Sequence, residues 1–124
     1  MNPEEMKKRT KAFALTGLKL IQELPDSPVG RIIQWQLGKC STSVGANYRA
    51  ACRAKSRADF IAKLGIVEEE TDESVFWLEI LKDLKLGPQS LVDELLVEGN
   101  EILAIIVSSI ITARSNEAIR RNQK

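Results

Sequence analysis

Apolar positions recur along this chain at steps of three and four, and punctuation by proline and glycine divides them into four runs. Phe13, Gly17, Leu20 and Leu24 form the first stripe, on a segment that starts at Asn2-Pro3 and stops at Pro25. Asn2 fits an N-cap, Pro3 the first helical position, and Glu4 and Glu5 complement the positive end of the helix dipole. The second stripe is Ile33, Leu37, Cys40, Val44, Asn47 and Ala51, a heptad seam after the turn Asp26-Ser27-Pro28. Phe60, Leu64, Val67, Thr71, Ser74, Leu78 and Leu81 keep the steadiest 4-3 rhythm, behind a Ser56/Asp59 capping pattern and ahead of Gly87-Pro88. Leu91, Leu95, Ile102, Ile105, Ser109 and Thr112 are the expected inner stripe of the last run.

These patterns predict helices over about 3–23, 28–54, 57–86 and 88–115, in one domain spanning 1–117, with 118–124 as a frayed basic tail. Linkers this short make successive helices antiparallel neighbours. The predicted fold class is all-α: an antiparallel up-down-up-down four-helix bundle. Leu96, Ala104, Ile106, Val107, Ile110 and Ile111 make the second half of the last helix apolar nearly all round. A bundle helix needs one apolar stripe, so a second one predicts self-association. The most apolar run, Ile102–Ile111, contains two serines and is too short to span a bilayer. With no apolar leader in MNPEEMKKRTK, the expected location is the cytoplasm, with no membrane partner.

Charge changes the picture more than composition does. Residues 1–57 hold 11 Lys/Arg against 4 Asp/Glu, residues 58–101 hold 3 against 12, and residues 102–124 hold 4 against 1. A net charge of +1 therefore conceals a basic first half and an acidic third helix. The cationic set Lys39, Arg49, Arg53, Lys55 and Arg57, with Tyr48 among them, has the chemistry of a nucleic-acid interface: cations for phosphates and an aromatic ring for an exposed base. The same cations can instead complement the helix end and the acids of helix three.

Ser43 and Asn47 lie four apart on the face expected to look inward, with Glu70 and Glu73 as partners across the bundle. A buried polar network that fixes helix register is one reading of these four residues, and a ligand pocket is the other. Enzymatic chemistry finds little support. The chain has no His, so Cys40, Ser41 and Ser43 lack the usual base, and a di-iron bundle site lacks its Glu-x-x-His motifs. Neither a cofactor nor a metal is expected. Cys40 and Cys52, twelve residues or roughly 18 Å apart along one helix, are expected as unpaired packing residues.

Leu24-Pro25, Gln36-Leu37 through Ser41, Ser43, Val44, Gly45 and Asn47, then Ser56, Phe60, Leu64, Glu70, Glu73 and Trp77-Leu78-Glu79 resemble, in order, the four-helix bundle family encoded in intervening sequences of 23S ribosomal RNA genes. The resemblance covers roughly residues 5–115. It implies a homopentamer and, for most members, an undefined biochemical role. It also implies kinship with the accessory proteins of diversity-generating retroelements, pentameric bundles that bind nucleic acid and a reverse transcriptase through basic surfaces. Where many members carry an acid shortly after the Asn, this chain has Ala50, which makes the segment more cationic. The expectation is a non-enzymatic homo-oligomer, a pentamer, that binds RNA or single-stranded DNA. The alternative is a structural or protein-adaptor oligomer without nucleic-acid affinity.

Overall fold

The structure, a computed structural model, describes residues 2–123; Met1 and Lys124, the outer ends of the expected domain and tail, lie outside the described residues. Four helices follow one another: α1 (Pro3–Gln22), α2 (Pro28–Cys52), α3 (Arg57–Leu84) and α4 (Gln89–Asn122). Among the described residues there is no strand.

Local chemistry sets the helix starts. The Asn2 side chain accepts from the Glu5 N–H at 2.8 Å, Ser27 Oγ from Gly30 at 3.0 Å, and Ser56 Oγ from Asp59 at 3.0 Å. Each satisfies one of the four amides a helix start leaves unpaired. The end of α3 is a Schellman turn: Leu86 N–H donates to Leu81 O at 3.0 Å and Lys85 N–H to Lys82 O at 3.2 Å. Its left-handed position is Lys85, at φ +56°, where glycine is the usual residue.

Contacts between helices fix their directions. Gly45, Gly17 and Gly38 bring α2 onto α1 at Thr10, Ser41 and Ile21 respectively, so α2 descends as α1 ascends. Lys82 meets Asp93 and Arg57 meets Glu117, which runs α3 and α4 in opposite directions. Gly99 of α4 faces Phe13 of α1, and Arg9 of α1 forks onto Glu98 (2.6 and 2.7 Å) and reaches Glu101. Each helix thus packs on the two beside it, in the order α1-α2-α3-α4-α1.

The core follows the expected stripes of α1 and α3 closely. Phe13, Gly17, Leu20 and Leu24 are buried, joined by Met6 and Thr10, and every expected α3 position from Leu64 to Leu81 is buried, with Phe60 half-buried. In α2 the stripe changes phase after Val44. Tyr48, not Asn47, is the buried residue before Ala51. In α4 the buried set is Val92, Leu95, Gly99, Ile102, Ile106, Ile110 and Ala113, whereas Leu91, Ile105 and Ser109 are half-buried and Thr112 is exposed. Apolar residues on several sides of α4, among them Leu91, Leu96, Ile105 and Ile111, leave its buried face undecided by spacing alone.

The largest departure is the tail. α4 does not end near Ser115 but continues to Asn122, so 118–122, expected as a tail, is helical. Glu117 holds Arg57 of α3 at 3.5 Å and Arg121 on its own helix at 3.6 Å, and cations in the last turn suit the negative end of the dipole. By length and composition α4 is also apolar enough to cross a membrane, with an 18-residue window of mean hydropathy 1.7, of which 28% is buried in the bundle. Val97 and Ile111 are 63% and 62% exposed on its outer face.

Candidate nucleic-acid interface

The expected cationic set divides into three groups. Arg49, Arg53 and Lys55, exposed on the last turn of α2 and the turn behind it, line one side of an open groove of about 510 Å³. Lys63, on the second turn of α3, lines the other side, and Ala46 and Ala50 form small-residue walls. The acid in the groove, Asp59, is already committed. Both its oxygens lie 2.6 Å from Lys63 Nζ, and it accepts the Lys55 N–H at 3.2 Å. These bonds, Lys63 first, hold its carboxyl below the usual carboxylate range. Arg49, Arg53 and Lys55 have no ion-pair partner among the described residues.

Lys39 belongs elsewhere. Ten residues before Arg49 on the same helix, it lies roughly 15 Å away along the axis, in the field of Glu70. Arg57 points to α4, where Glu117 holds it. Tyr48 corrects the expectation of a ring free to stack on the open surface. It is only 9% exposed, and burial followed by the neighbouring Cys52 pushes its phenol pKa up. The phase change in α2 that buries Tyr48 is the reason.

Sequence reasoning missed four cations that share this end of the bundle. Lys63 signals itself only as the i+4 partner of Asp59. Arg114, Arg120 and Arg121 arrive with the last turns of α4, and Arg114 and Arg121 flank Glu117 in a shallow cleft against Ala58 and Ile61 of α3. The beginnings of α1 and α3 and the ends of α2 and α4 converge here, where these cations stand together with the acids Glu4, Glu5, Asp59 and Glu117.

The expected polar network across α2 and α3 is not formed. Ser43 Oγ donates to Lys39 O and Asn47 Nδ2 to Ser43 O, each at 2.8 Å, both inside α2. Glu73 is exposed, and Glu70, half-buried, lines an outer acidic depression with Glu69, Asp72 and Phe76. Burial, then Glu73, raises the Glu70 carboxyl pKa, with Lys39 opposing. Ser41 in this stretch does meet a neighbouring helix, buried against Gly17 with its hydroxyl unpartnered. Cys40 is sealed in the core, its thiol pushed up to about 11 by burial, which leaves it protonated and inert at neutral pH.

Comparison with known proteins agrees with the fold. Among curated proteins no match is found. A solved structure, that of a protein of unknown function from the S23 ribosomal protein family of Bacteroides thetaiotaomicron, is similar at a TM-score of 0.80 and 31% identity, over 89% of this chain and 98% of that one. The family model for the 23S rRNA-intervening sequence protein matches residues 4–108, which takes in α1, α2, α3 and more than half of α4. The chain therefore belongs to the 23S rRNA-intervening sequence protein family.

Proposed function

We propose that this protein is a non-enzymatic, cytoplasmic homo-oligomer, a pentamer, that binds RNA or single-stranded DNA through the basic groove at one end of its bundle. The observation that carries the reading is the groove at the α2–α3 corner. Among the described residues Arg49, Arg53 and Lys55 stand there without counter-ions, while the acid lining the groove, Asp59, is bonded to Lys63. Exposed cations set on a rigid helix end attract a polyanion at little conformational cost, and attraction to phosphate is the dominant sequence-independent part of nucleic-acid binding. Self-association draws support from the wet apolar stripe Val97, Ala104, Val107 and Ile111 on α4. An oligomer multiplies a modest patch into a strong one.

A second reading, a protein adaptor, draws on the stripe Val29, Ile32 and Trp35 of α2, where Trp35 is 71% exposed. Equilibrium binding to a single-stranded RNA at low salt separates the two. Replacing Arg49, Arg53 and Lys55 together by Ala is expected to weaken binding by at least tenfold while light scattering reports an unchanged pentamer mass. An oligomer that binds no nucleic acid at low salt supports the adaptor instead.

A further inference from the structure

We propose that a pocket beside the basic groove receives one unstacked base of a single strand, while the strand's phosphates lie on the cations around it. This rests on the nucleic-acid reading above and specifies its substrate as unpaired. The pocket, about 660 Å³, opens where the first turn of α1, the α2–α3 turn and the end of α4 meet. That volume falls within the range of small-ligand sites. Phe60 and Cys52, both half-buried, supply its apolar part, the ring of Tyr48 being all but covered, and Lys7, Arg57 and Arg120 bring positive charge to it.

The division of chemistry is what points to a base. A neutral planar ring loses little by leaving water for an aromatic lining, and base–aromatic contact is tolerant of sequence. Glu4, exposed at the rim and paired with Lys7, repels an anion on that side, so the phosphates are better placed toward Arg57 and Arg120. Two of the cations are held loosely enough to exchange. Lys7 lies 3.1 Å from Glu4 and Arg57 3.5 Å from Glu117, and partly exposed pairs of this kind contribute at most about 1 kcal/mol. A duplex keeps its bases stacked and must unpair one to fill the pocket, whereas a single strand offers one freely. Arg120 lies beyond residues 4–108, so this part of the site depends on the extension of α4 in this chain.

Ala54 lines the pocket from the connection between α2 and α3, outside both helices. Ala54→Trp therefore narrows the pocket without changing charge. Fluorescence anisotropy with a short oligoadenylate, a blunt duplex of the same length and adenosine monophosphate as competitor reads the result. Native protein is expected to prefer the single strand, and Ala54→Trp to lose about tenfold of that affinity with duplex binding unchanged. Arg49→Ala with Arg53→Ala is expected to weaken both forms. If Ala54→Trp melts early, Arg120→Ala on the outer turns of α4 serves in its place and should lower single-strand affinity more than duplex affinity. Equal effects on the two forms, or none, overturn the pocket and leave the basic interface standing. Mononucleotide that competes as well as the strand overturns it as a strand site. Native protein that binds neither nucleic acid removes both the pocket and the interface.

Discussion

Ser41 and Gly17 mark a point where α1 and α2 come into close contact, and their substitution gives a sharp test of that packing. The Ser41 hydroxyl is buried without a hydrogen-bond partner, and a Cβ added at Gly17 would lie 2.8 Å from Ser41 Oγ and 3.2 Å from Ser41 Cβ. An unsatisfied buried hydroxyl costs about 1–3 kcal/mol. Ser41→Ala removes that cost, keeps the Cβ contact and improves helix propensity by roughly 0.5 kcal/mol. The expected gain, at the low end of that sum, is about 1.5 kcal/mol, or about 6 °C in Tm for a chain of this size. Gly17→Ala alone gains helix propensity but drives a methyl into the hydroxyl, and is expected to destabilise. With Ser41→Ala already present the nearer clash is gone, so the two changes should couple favourably by about 1 kcal/mol. Urea unfolding of the four proteins measures the cycle, at one fixed protein concentration because self-association shifts midpoints. Loss of stability in Ser41→Ala would mean that the hydroxyl has a partner. Zero coupling would mean that α1 and α2 do not approach this closely.

Three further outcomes follow from local geometry. Gly30→Ala places a Cβ 2.0 Å from the Pro25 carbonyl oxygen, and is expected to cost about 1–3 kcal/mol by the same urea assay. Lys85→Gly relieves a left-handed lysine in the Schellman turn and should raise stability by about 1 kcal/mol; no gain would argue that the turn is relaxed. Glu70 has a folded-state pKa above its ordinary 4.5, so its ionisation opposes folding above that raised value and costs nothing below 4.5. Glu70→Gln should therefore raise Tm at pH 7, with the advantage gone at pH 4, and an advantage that grows on acidification contradicts the assignment.

Three of the four helix starts were legible because they carry explicit chemistry: Asn2, Ser27 and Ser56 all cap as their residue types suggest, whereas α4 starts behind Gly87-Pro88 with no side-chain cap. The stripes of α1 and α3 read correctly because their buried positions keep an unbroken 4-3 spacing, even though Leu15, Leu18, Ile66 and Phe76 are exposed outside it. In α2 the small residues around Gly45 leave the buried face ambiguous, and only tertiary packing decides that Tyr48 turns in and Asn47 does not. That single phase error both invented a cross-bundle network for Ser43, Asn47, Glu70 and Glu73 and placed an aromatic ring on the surface. The end of α4 was missed for a different reason. Its last turns are held by a contact to Arg57 sixty residues earlier in the chain, which no local pattern announces. The unpaired arginines of the α2–α3 corner were legible as charge, but their groove partner Lys63 was not, because it stands on the next helix.

The account rests most heavily on Arg49, Arg53 and Lys55 meeting phosphates, and the salt dependence of single-strand binding tests this directly. Each cation that neutralises a phosphate contributes about −0.7 to the slope of log K against log salt concentration. Removing the three by substitution with Ala should flatten the slope by about 2. A slope unchanged by the substitution, with binding intact, would contradict the account, because the strand would then lie on some other surface.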